Sequence, residues 1–147
     1  MDNVLKKLGY REQTRVLIMN APQELLGEIR PLLKETPHEE IKGQYEFILF
    51  FARALAEVHS ARESLAEVIE PEGRLWICYP KKSSKKLKSD LSRDILWDAF
   101  GAFGFEPVSN YAIDEDWSSV RFRPVDEIKS LKRRNAATEK GRQRSKE

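Results

Sequence analysis

Residues 74–94, RLWICYPKKSSKKLKSDLSRD, decide the fold that this sequence predicts. The first seven residues, 74–80, form a mostly apolar run of strand length, which is typical of a strand buried on both faces of a parallel sheet. The run leads into a loop rich in lysine and serine, and a helix is predicted over residues 90–103. A strand that passes through a polar loop into a helix is the repeating unit of an open α/β sheet.

Four further strands are predicted from the rest of the chain. Two are apolar runs, Val16–Met19 and Tyr45–Phe51, and two form a closing hairpin over residues 106–113 and 117–123. The tripeptide Asp114-Glu115-Asp116 separates the hairpin strands and has the composition of a turn. Strands alternating with helices predict right-handed parallel crossovers. The expected fold class is α/β: a Rossmann-like, mostly parallel sheet of reduced strand number with a C-terminal antiparallel hairpin.

Helices are expected between these strands. A short helix over residues 2–8 should end at Gly9, which adopts the left-handed conformation cheaply. Leucine and isoleucine recur at helical spacing over residues 25–33, in a helix expected to break near Pro31. The apolar stripe of residues 52–69 predicts a longer helix that Pro71-Glu72-Gly73 should stop. The polar residues 35–44 predict a loop, with a short edge strand near Ile41.

Composition limits the class of protein. The 147 residues predict one domain over residues 1–125 and a disordered basic tail over 126–147. That tail holds eight Lys or Arg and four Asp or Glu, a charge of +4, which leaves −2 for residues 1–125. The single cysteine excludes an internal disulfide and suits a cytoplasmic location. No apolar run approaches the roughly 18 to 20 residues of a membrane span, so no membrane contact is expected.

The topology predicts where a ligand would bind. In an open parallel sheet, ligands bind beyond the carboxyl ends of the strands, where loops and helix starts converge. The candidate ligand-binding residues at that edge are Asn20, Arg53, Lys81, Lys82, Ser83, Ser84, Lys88, Ser89, Asp114 and Trp117. Lysines and serines that lead into a helix start would suit an anionic, phosphate-containing small molecule. Alternatively, the loop is a solvated surface segment, or it pairs with the acidic turn.

Other residues suggest less chemistry. His38 and His59 are the only histidines and are expected at the surface, so no metal site is predicted. Cys78 lies within an apolar strand and is expected to pack in the core rather than act as a nucleophile. Asp114 and Asp116 fit a turn better than a cation site or a base. Trp117 could form a pocket wall, although packing is its simpler role.

The order of elements resembles the sheet of S-adenosylmethionine (SAM) dependent methyltransferases with part of the first half missing. Residues 5–124 also contain distinctive sequence motifs, which resemble those of a small bacterial family of Rossmann-like proteins catalogued as a domain of unknown function. The motifs are Asn20-Ala21-Pro22, the segments 79–84 and 88–94, and Asp114 followed by residues 117–124, WSSVRFRP. The resemblance implies a fold and no activity that can be transferred to a residue.

The methyltransferase resemblance also sets a test for the cofactor. Methyltransferases use a glycine-rich turn after the first strand and an acid after the second strand, which holds the ribose. Here the first turn is Asn20-Ala21-Pro22, with no glycine before Gly27, and no acidic strand end is evident before Tyr45. We therefore expect no cofactor, and SAM in particular is not expected.

Three functions remain from the sequence. The leading prediction is a non-catalytic binding module with an anion site at the carboxyl edge of the sheet. The first alternative is a SAM-dependent methyltransferase with an atypical cofactor loop. The second is a nonspecific nucleic-acid-binding protein that uses the basic residues from Lys129 to Lys146. The oligomeric state is not predicted.

Overall fold

Strands and helices alternate along the chain in a computed structural model, which describes residues 1–127. Of the predicted disordered tail over residues 126–147, residues 128–147 lie outside the described residues, and so does the predicted nucleic-acid contact of residues 129–146. The strands are β1 (Val16–Met19), β2 (Tyr45–Phe51), β3 (Ile69–Pro80), β4 (Phe105–Ala112) and β5 (Trp117–Pro124). The helices are α1 (Asp2–Lys7), α2 (Gln23–Ile29), α3 (Leu55–Val68) and α4 (Arg93–Gly101), with short 3-10 turns at Arg30–Leu32 and Val125–Glu127. Within residues 1–127, no helix has the length and apolar character needed to cross a membrane.

The five strands form one sheet in the order β1-β2-β3-β5-β4. Strands β1, β2 and β3 are parallel, whereas β5 is antiparallel to both β3 and β4. Ile48 at the centre of β2 pairs with Leu17 on one side and Leu75 on the other. The predicted α/β class with a mostly parallel sheet and a closing antiparallel hairpin is confirmed.

Helices cover both faces of the sheet. On the first face, here called the α2 face, the apolar side of α2 packs with the alternate strand residues Ile18, Phe47 and Leu49. On the second, here called the α3 face, α3 and α4 pack with the intervening strand residues Leu17 and Ile48. Because both faces are covered, the central strands are apolar throughout, as expected for a buried parallel sheet.

A single residue, His38, pairs with the outer edge of β1. The amide N–H of His38 donates to the carbonyl of Val16 at 2.9 Å, and that of Ile18 donates to the carbonyl of His38 at 2.9 Å. The pairing is parallel and isolated, so the prediction of an edge strand near Ile41 is wrong. The reason is the buried Tyr45 hydroxyl. It donates to the Glu40 carbonyl at 3.2 Å, accepts from the Lys42 amide at 2.9 Å and holds residues 40–42 out of the ladder.

The His38 contact reverses the direction in which the chain crosses the sheet. From β1, the chain passes through α2 to His38 on one side of β1, and then returns to β2 on the other side. Helices α2 and α3 accordingly lie on opposite faces, as right-handed connections in opposite directions require. The strand order therefore reverses between β1 and β2. In open α/β sheets, such a reversal is where ligands bind.

Strand β3 begins earlier than predicted. Pro71-Glu72-Gly73 was expected to separate α3 from the strand, but β3 starts at Ile69, directly after the helix. The segment bulges, because Tyr45 pairs with Ile69 whereas Phe47, two residues on, pairs with Arg74. Glu72 adopts a left-handed φ of 63° within this bulge. A bulge tolerates proline because the ladder hydrogen bonds are already interrupted there.

The helix after the lysine loop begins later than predicted, at Arg93. The Oδ1 atom of Asp90 accepts a hydrogen bond from the Leu55 amide at 2.9 Å. Asp90 therefore caps the amino terminus of α3 and does not begin α4. Ser92 caps α4 through its Oγ, which accepts from the Ile95 amide at 3.2 Å.

Candidate functional site

The carboxyl edge of the sheet carries three separate pockets. The first-strand pocket, of about 450 Å³, is lined by Met19, Asn20, Ile41, Phe50, Ala56, Glu57, Ser60, Ala61 and Ser64. The acidic pocket, of about 550 Å³, is lined by Pro22, Glu24, Leu25, Glu28, Arg53, Lys86, Leu87 and residues 114–117. The lysine pocket, of about 330 Å³, is lined by Tyr79, Lys81, Lys82, Ser92, Arg93, Asp94, Asn110 and Ser118.

These pockets divide the residues that the sequence placed together. The first-strand pocket receives Asn20, the acidic pocket receives Arg53, Asp114 and Trp117, and the lysine pocket receives Lys81 and Lys82. The remaining predicted residues line none of the three: Ser83, Ser84, Lys88 and Ser89. The predicted ligand-binding residues therefore lie along one edge of the sheet, but they do not line a single cavity.

Two serines of the loop form hydrogen bonds within the protein. The Oγ of Ser84 donates to Oδ1 of Asp116 at 2.7 Å and accepts from the Leu87 amide at 3.1 Å. The Oγ of Ser89 donates to the Arg53 carbonyl at 2.5 Å and accepts from the Leu91 amide. The loop therefore pairs with the acidic turn, which was the alternative interpretation of this segment.

The amino terminus of α3 is also occupied by the protein's own carboxylates. Glu57 Oε1 accepts from the amides of Arg53 at 2.8 Å and Ala54 at 3.1 Å, and Asp90 accepts from Leu55. These are the amides that would otherwise attract an anion at a helix start. A phosphate at this position would have to displace two carboxylates.

The acidic pocket has the wrong charge for an anion. Its five acids, Glu24, Glu28, Asp114, Glu115 and Asp116, face two cations, Arg53 and Lys86. Asp114 forms the turn, because its Oδ1 accepts from the amides of Asp116 and Trp117, each at 2.8 Å. Trp117 packs edge-on against Phe51, with ring centroids 5.1 Å apart, and also lines the pocket. Among residues 1–127, no group of three or more His, Cys, Asp or Glu is arranged to hold a metal ion.

The first-strand pocket lies at the reversal of strand order. Met19 and Phe50 belong to β1 and β2, the pocket wall is the side of α3 that carries Ala56 and Ser60, and Ile41 closes the outer edge. Asn20 adopts a left-handed φ of 60°, which asparagine tolerates better than most residues. The chain thus turns sharply after β1 without a glycine.

Sequence reasoning missed Ile41 and the acid before it, Glu40. His38 pairs in parallel with the outer edge of β1, and the acid Glu40 lies two residues further along the chain. No acidic strand end was expected before Tyr45, and Glu40 follows an isolated one-residue pairing rather than a strand. A one-residue pairing within a polar segment has no hydrophobic period, and no local signal in the sequence could have revealed it.

Burial decides the state of two groups outside the pockets. Cys78 is fully buried, and burial raises the pKa of its thiol well above the ordinary value, so it packs in the core as predicted. Burial also lowers the pKa of Arg74, with further contributions from the charges of Arg11 and Arg123. Arg74 belongs to the early part of β3, beside Gly9, and lines none of the three pockets.

Comparisons with known proteins identify the fold. No protein-family model matches the chain, and no curated protein is similar to it in sequence. Among solved structures, magnesium protoporphyrin IX methyltransferase (ChlM) from Synechocystis PCC 6803, with bound SAH, matches with a TM-score of 0.56 and 10% identity. That match covers 82% of this chain and 78% of the ChlM chain.

Two further methyltransferases are similar in structure. The glycopeptide N-methyltransferase MtfA, complexed with SAM, matches with a TM-score of 0.53 and 9% identity, over 82% of this chain and 91% of that chain. A methyltransferase from Pyrococcus furiosus matches with a TM-score of 0.51 and 9% identity, over 82% and 79%. The class defined by the fold is thus methyltransferase-like α/β. The bacterial family of unknown function stays a prediction.

These structures correct the cofactor prediction. We expected no cofactor and did not expect SAM, but ChlM and MtfA, which share the fold, contain SAH and SAM. We had expected no SAM because the turn after β1 lacks glycine and because no acidic strand end was evident before Tyr45. In the structure, Asn20 supplies a left-handed residue after β1, and the acid Glu40 lies two residues after His38, which pairs with β1.

Proposed function

We propose that this protein binds SAM in the first-strand pocket and is a methyltransferase with an atypical cofactor loop. The observation that carries the proposal is the reversal of strand order between β1 and β2, with a pocket opening at that point. Ligands in doubly wound sheets bind at such a reversal, because loops from adjacent strands diverge there. The methyltransferases that share the fold support this choice of ligand.

The lining of the pocket suits the adenosine half of SAM. Its volume of about 450 Å³ falls within the roughly 300–1,000 Å³ typical of small-molecule pockets. Phe50 and Ile41 offer apolar surface for a base, and Ser60 and Ser64 offer hydroxyls along α3.

Glu40 is the candidate acid for the ribose. Glu39, its neighbour, forms an ion pair with Arg30, whereas the Glu40 side chain is exposed and has no ion pair within residues 1–127. The Tyr45 hydroxyl fixes the Glu40 carbonyl and therefore the course of the backbone at this residue. A carboxylate there would accept hydrogen bonds from two ribose hydroxyls.

The loop after β1 departs from the methyltransferase pattern at Pro22. Pro22 precedes α2 with a φ of −56° and, lacking an N–H, donates no hydrogen bond to a ligand. The chain's contribution is therefore to bind and orient the cofactor through Asn20, Ile41 and α3. When bound, SAM supplies a methyl group on a positively charged sulfur, and transfer to an acceptor lone pair leaves SAH.

A matched pair of substitutions tests the pocket. Ile41 and Leu32 are both exposed apolar residues, with 36% and 38% of their surface accessible, but only Ile41 lines the first-strand pocket. SAM at a hundred times its dissociation constant should stabilise the wild type by about 2.7 kcal/mol in a thermal unfolding assay. Ile41→Arg should abolish that stabilisation because the longer side chain enters the pocket, whereas Leu32→Arg should retain it.

Either of two results would contradict the proposal. One is a wild-type protein whose unfolding temperature does not respond to SAM or SAH at millimolar concentration. The other is equal stabilisation of wild type and Ile41→Arg, which would place the ligand elsewhere. Enzymatic transfer is tested separately by release of SAH from SAM in the presence of candidate acceptors.

A further inference from the structure

The lysine pocket collects positive charge that the protein does not neutralise. Lys81, Lys82 and Arg93 line it together with one acid, Asp94. None of the four forms an ion pair within residues 1–127. The Arg93 guanidinium lies over the Trp97 ring, 5.5 Å from the centroid, and this contact restrains it. The pocket therefore has a formal charge of +2.

The hydroxyl of Tyr79, which lines this pocket, has no acceptor within residues 1–127. Tyr79 is only 8% exposed, and its hydroxyl accepts a hydrogen bond from Nδ2 of Asn110 at 3.4 Å. A tyrosine hydroxyl carries one proton to donate. Within residues 1–127, no atom accepts that proton. The hydroxyl can therefore donate to an acceptor atom of a ligand in the pocket.

Helix α4 adds a second set of donors. Its first turn begins with Arg93 and Asp94, whose amides precede the intrahelical hydrogen bonds and have no acceptor within residues 1–127. Ser92, the capping residue, uses its Oγ for the Ile95 amide and leaves those two amides available. The positive end of the helix dipole thus lies at the same pocket as the three cations.

We propose that the lysine pocket binds a phosphomonoester group. A phosphomonoester carries a charge of about −1.5 to −2 at neutral pH and three strong acceptor oxygens. It would match both the pocket's charge and its donors, which are the Tyr79 hydroxyl, the α4 amides and the cations. A carboxylate carries one charge and leaves one cation without a counterion. This assignment differs from the anion site predicted from the loop, because Tyr79, Arg93, Asn110 and Ser118 replace the serines.

The lysine pocket also indicates which class of molecule could accept the methyl group. Both it and the first-strand pocket lie on the α3 face at the carboxyl edge, since Tyr79 and Phe50 belong to one core cluster with α3 and α4. Resting on the proposed methyl transfer, we assign the phosphate to the acceptor, which is then a small phosphorylated molecule. The phosphate would hold the acceptor beside the cofactor without taking part in the transfer.

A titration of the full chain followed by assigned amide NMR spectra tests the site. Inorganic phosphate, glycerol 3-phosphate and acetate are added at constant ionic strength. Both phosphates should shift the Arg93 and Asp94 amides, and acetate should bind at least tenfold more weakly, as expected on losing one charge-assisted contact. Tighter binding of glycerol 3-phosphate than of phosphate supports the acceptor assignment, and equal affinity overturns that assignment. Absence of shifts at these amides overturns the site itself.

Matched variants separate the pocket from general charge attraction. Lys82 and Lys85 are exposed lysines of one loop, and only Lys82 lines the pocket. Lys82→Ala should weaken phosphate binding about tenfold and Lys85→Ala less than twofold. Tyr79→Phe preserves the buried ring and should weaken it severalfold. Equal effects of the two lysine variants would overturn the site.

Stabilisation by SAM, measured on the same protein, distinguishes the two proposals. Stabilisation without phosphate-induced shifts would overturn the phosphate site alone. Phosphate-induced shifts without stabilisation by SAM would overturn the proposed function and leave the phosphate site in place.

Discussion

Two residues, Gly9 and Asn20, have a left-handed backbone conformation at points where the chain leaves a helix or a strand. Gly9, with a φ of 89°, ends α1 as the sequence predicts, and Asn20, with a φ of 60°, turns the chain after β1. Gly9 was predictable because a glycine directly after a helical segment is a common stop. Asn20 was selected as a helix cap and ligand residue, and its backbone conformation was not anticipated, because asparagine is compatible with several turn types.

Replacement of Gly9 by alanine should destabilise the protein strongly, although it adds only one methyl group. A Cβ atom at Gly9 would lie 2.3 Å from Nε of Arg74, so the guanidinium would have to move in addition to the strained φ. We expect Gly9→Ala to lower the free energy of unfolding by about 1–2 kcal/mol or more. Gly27→Ala is the matched control, because Gly27 lies in α2 with no atom within 4 Å of the new Cβ. It should raise stability by up to about 1 kcal/mol.

Urea unfolding of the two alanine variants provides the measurement. A Gly9→Ala variant as stable as the wild type would show that Arg74 and the α1 terminus adjust freely, contrary to the packing described here.

At the scale of elements, the apolar runs predicted the sheet well. Strands β1 and β2 match the prediction to the residue, since polar groups bound each run. The bulge in β3 was missed because proline and glycine also end helices, and only pairing with β2 distinguishes the two roles. The His38 contact was missed because it is a tertiary pairing of one residue.

The Tyr45 hydroxyl should control the segment that carries Ile41. It contacts Nδ1 of His38 at 2.6 Å as well as the backbone of Glu40 and Lys42. Tyr45→Phe removes all three contacts, at a cost of about 0.5–1.5 kcal/mol, because the partner groups belong to exposed residues that water can reach. The His38 and Ile18 amides should then exchange with solvent faster, and SAM should bind more weakly.

Tyr111→Phe is the control for this substitution, since Tyr111 is 40% exposed and its hydroxyl has no hydrogen bond within residues 1–127. Native-state hydrogen exchange reports the opening of individual amides. Unchanged protection of His38 and Ile18 in Tyr45→Phe would show that the β1 contact does not depend on the tyrosine.

At the scale of the whole molecule, the carboxyl edge separates charge of opposite sign. The acidic pocket lies on the side of α2, and the lysine pocket lies between the start of α4 and the β4–β5 hairpin. Lys81 and Lys82 could be predicted at this edge because they directly follow β3. Tyr79, Arg93, Asn110 and Ser118 come from four elements or their boundaries, so only the folded chain shows that they converge.

The reversal of strand order at β1 determines where the proposed cofactor binds. The fold is shared with methyltransferases over 82% of this chain, yet the identity of about 10% carries no residue-level assignment. The location of the cofactor therefore depends on the topology of this chain and on the pocket beside Asn20 and Ile41.

The most direct test is a titration of the full chain with SAM, followed by backbone-assigned NMR spectra. We predict saturable shifts confined to the end of β1, residues 40–42 and the first turns of α3, which together surround the first-strand pocket. Shifts centred on the acidic or lysine pocket, or no shifts at millimolar SAM, would contradict the assignment of the cofactor to the reversal between β1 and β2.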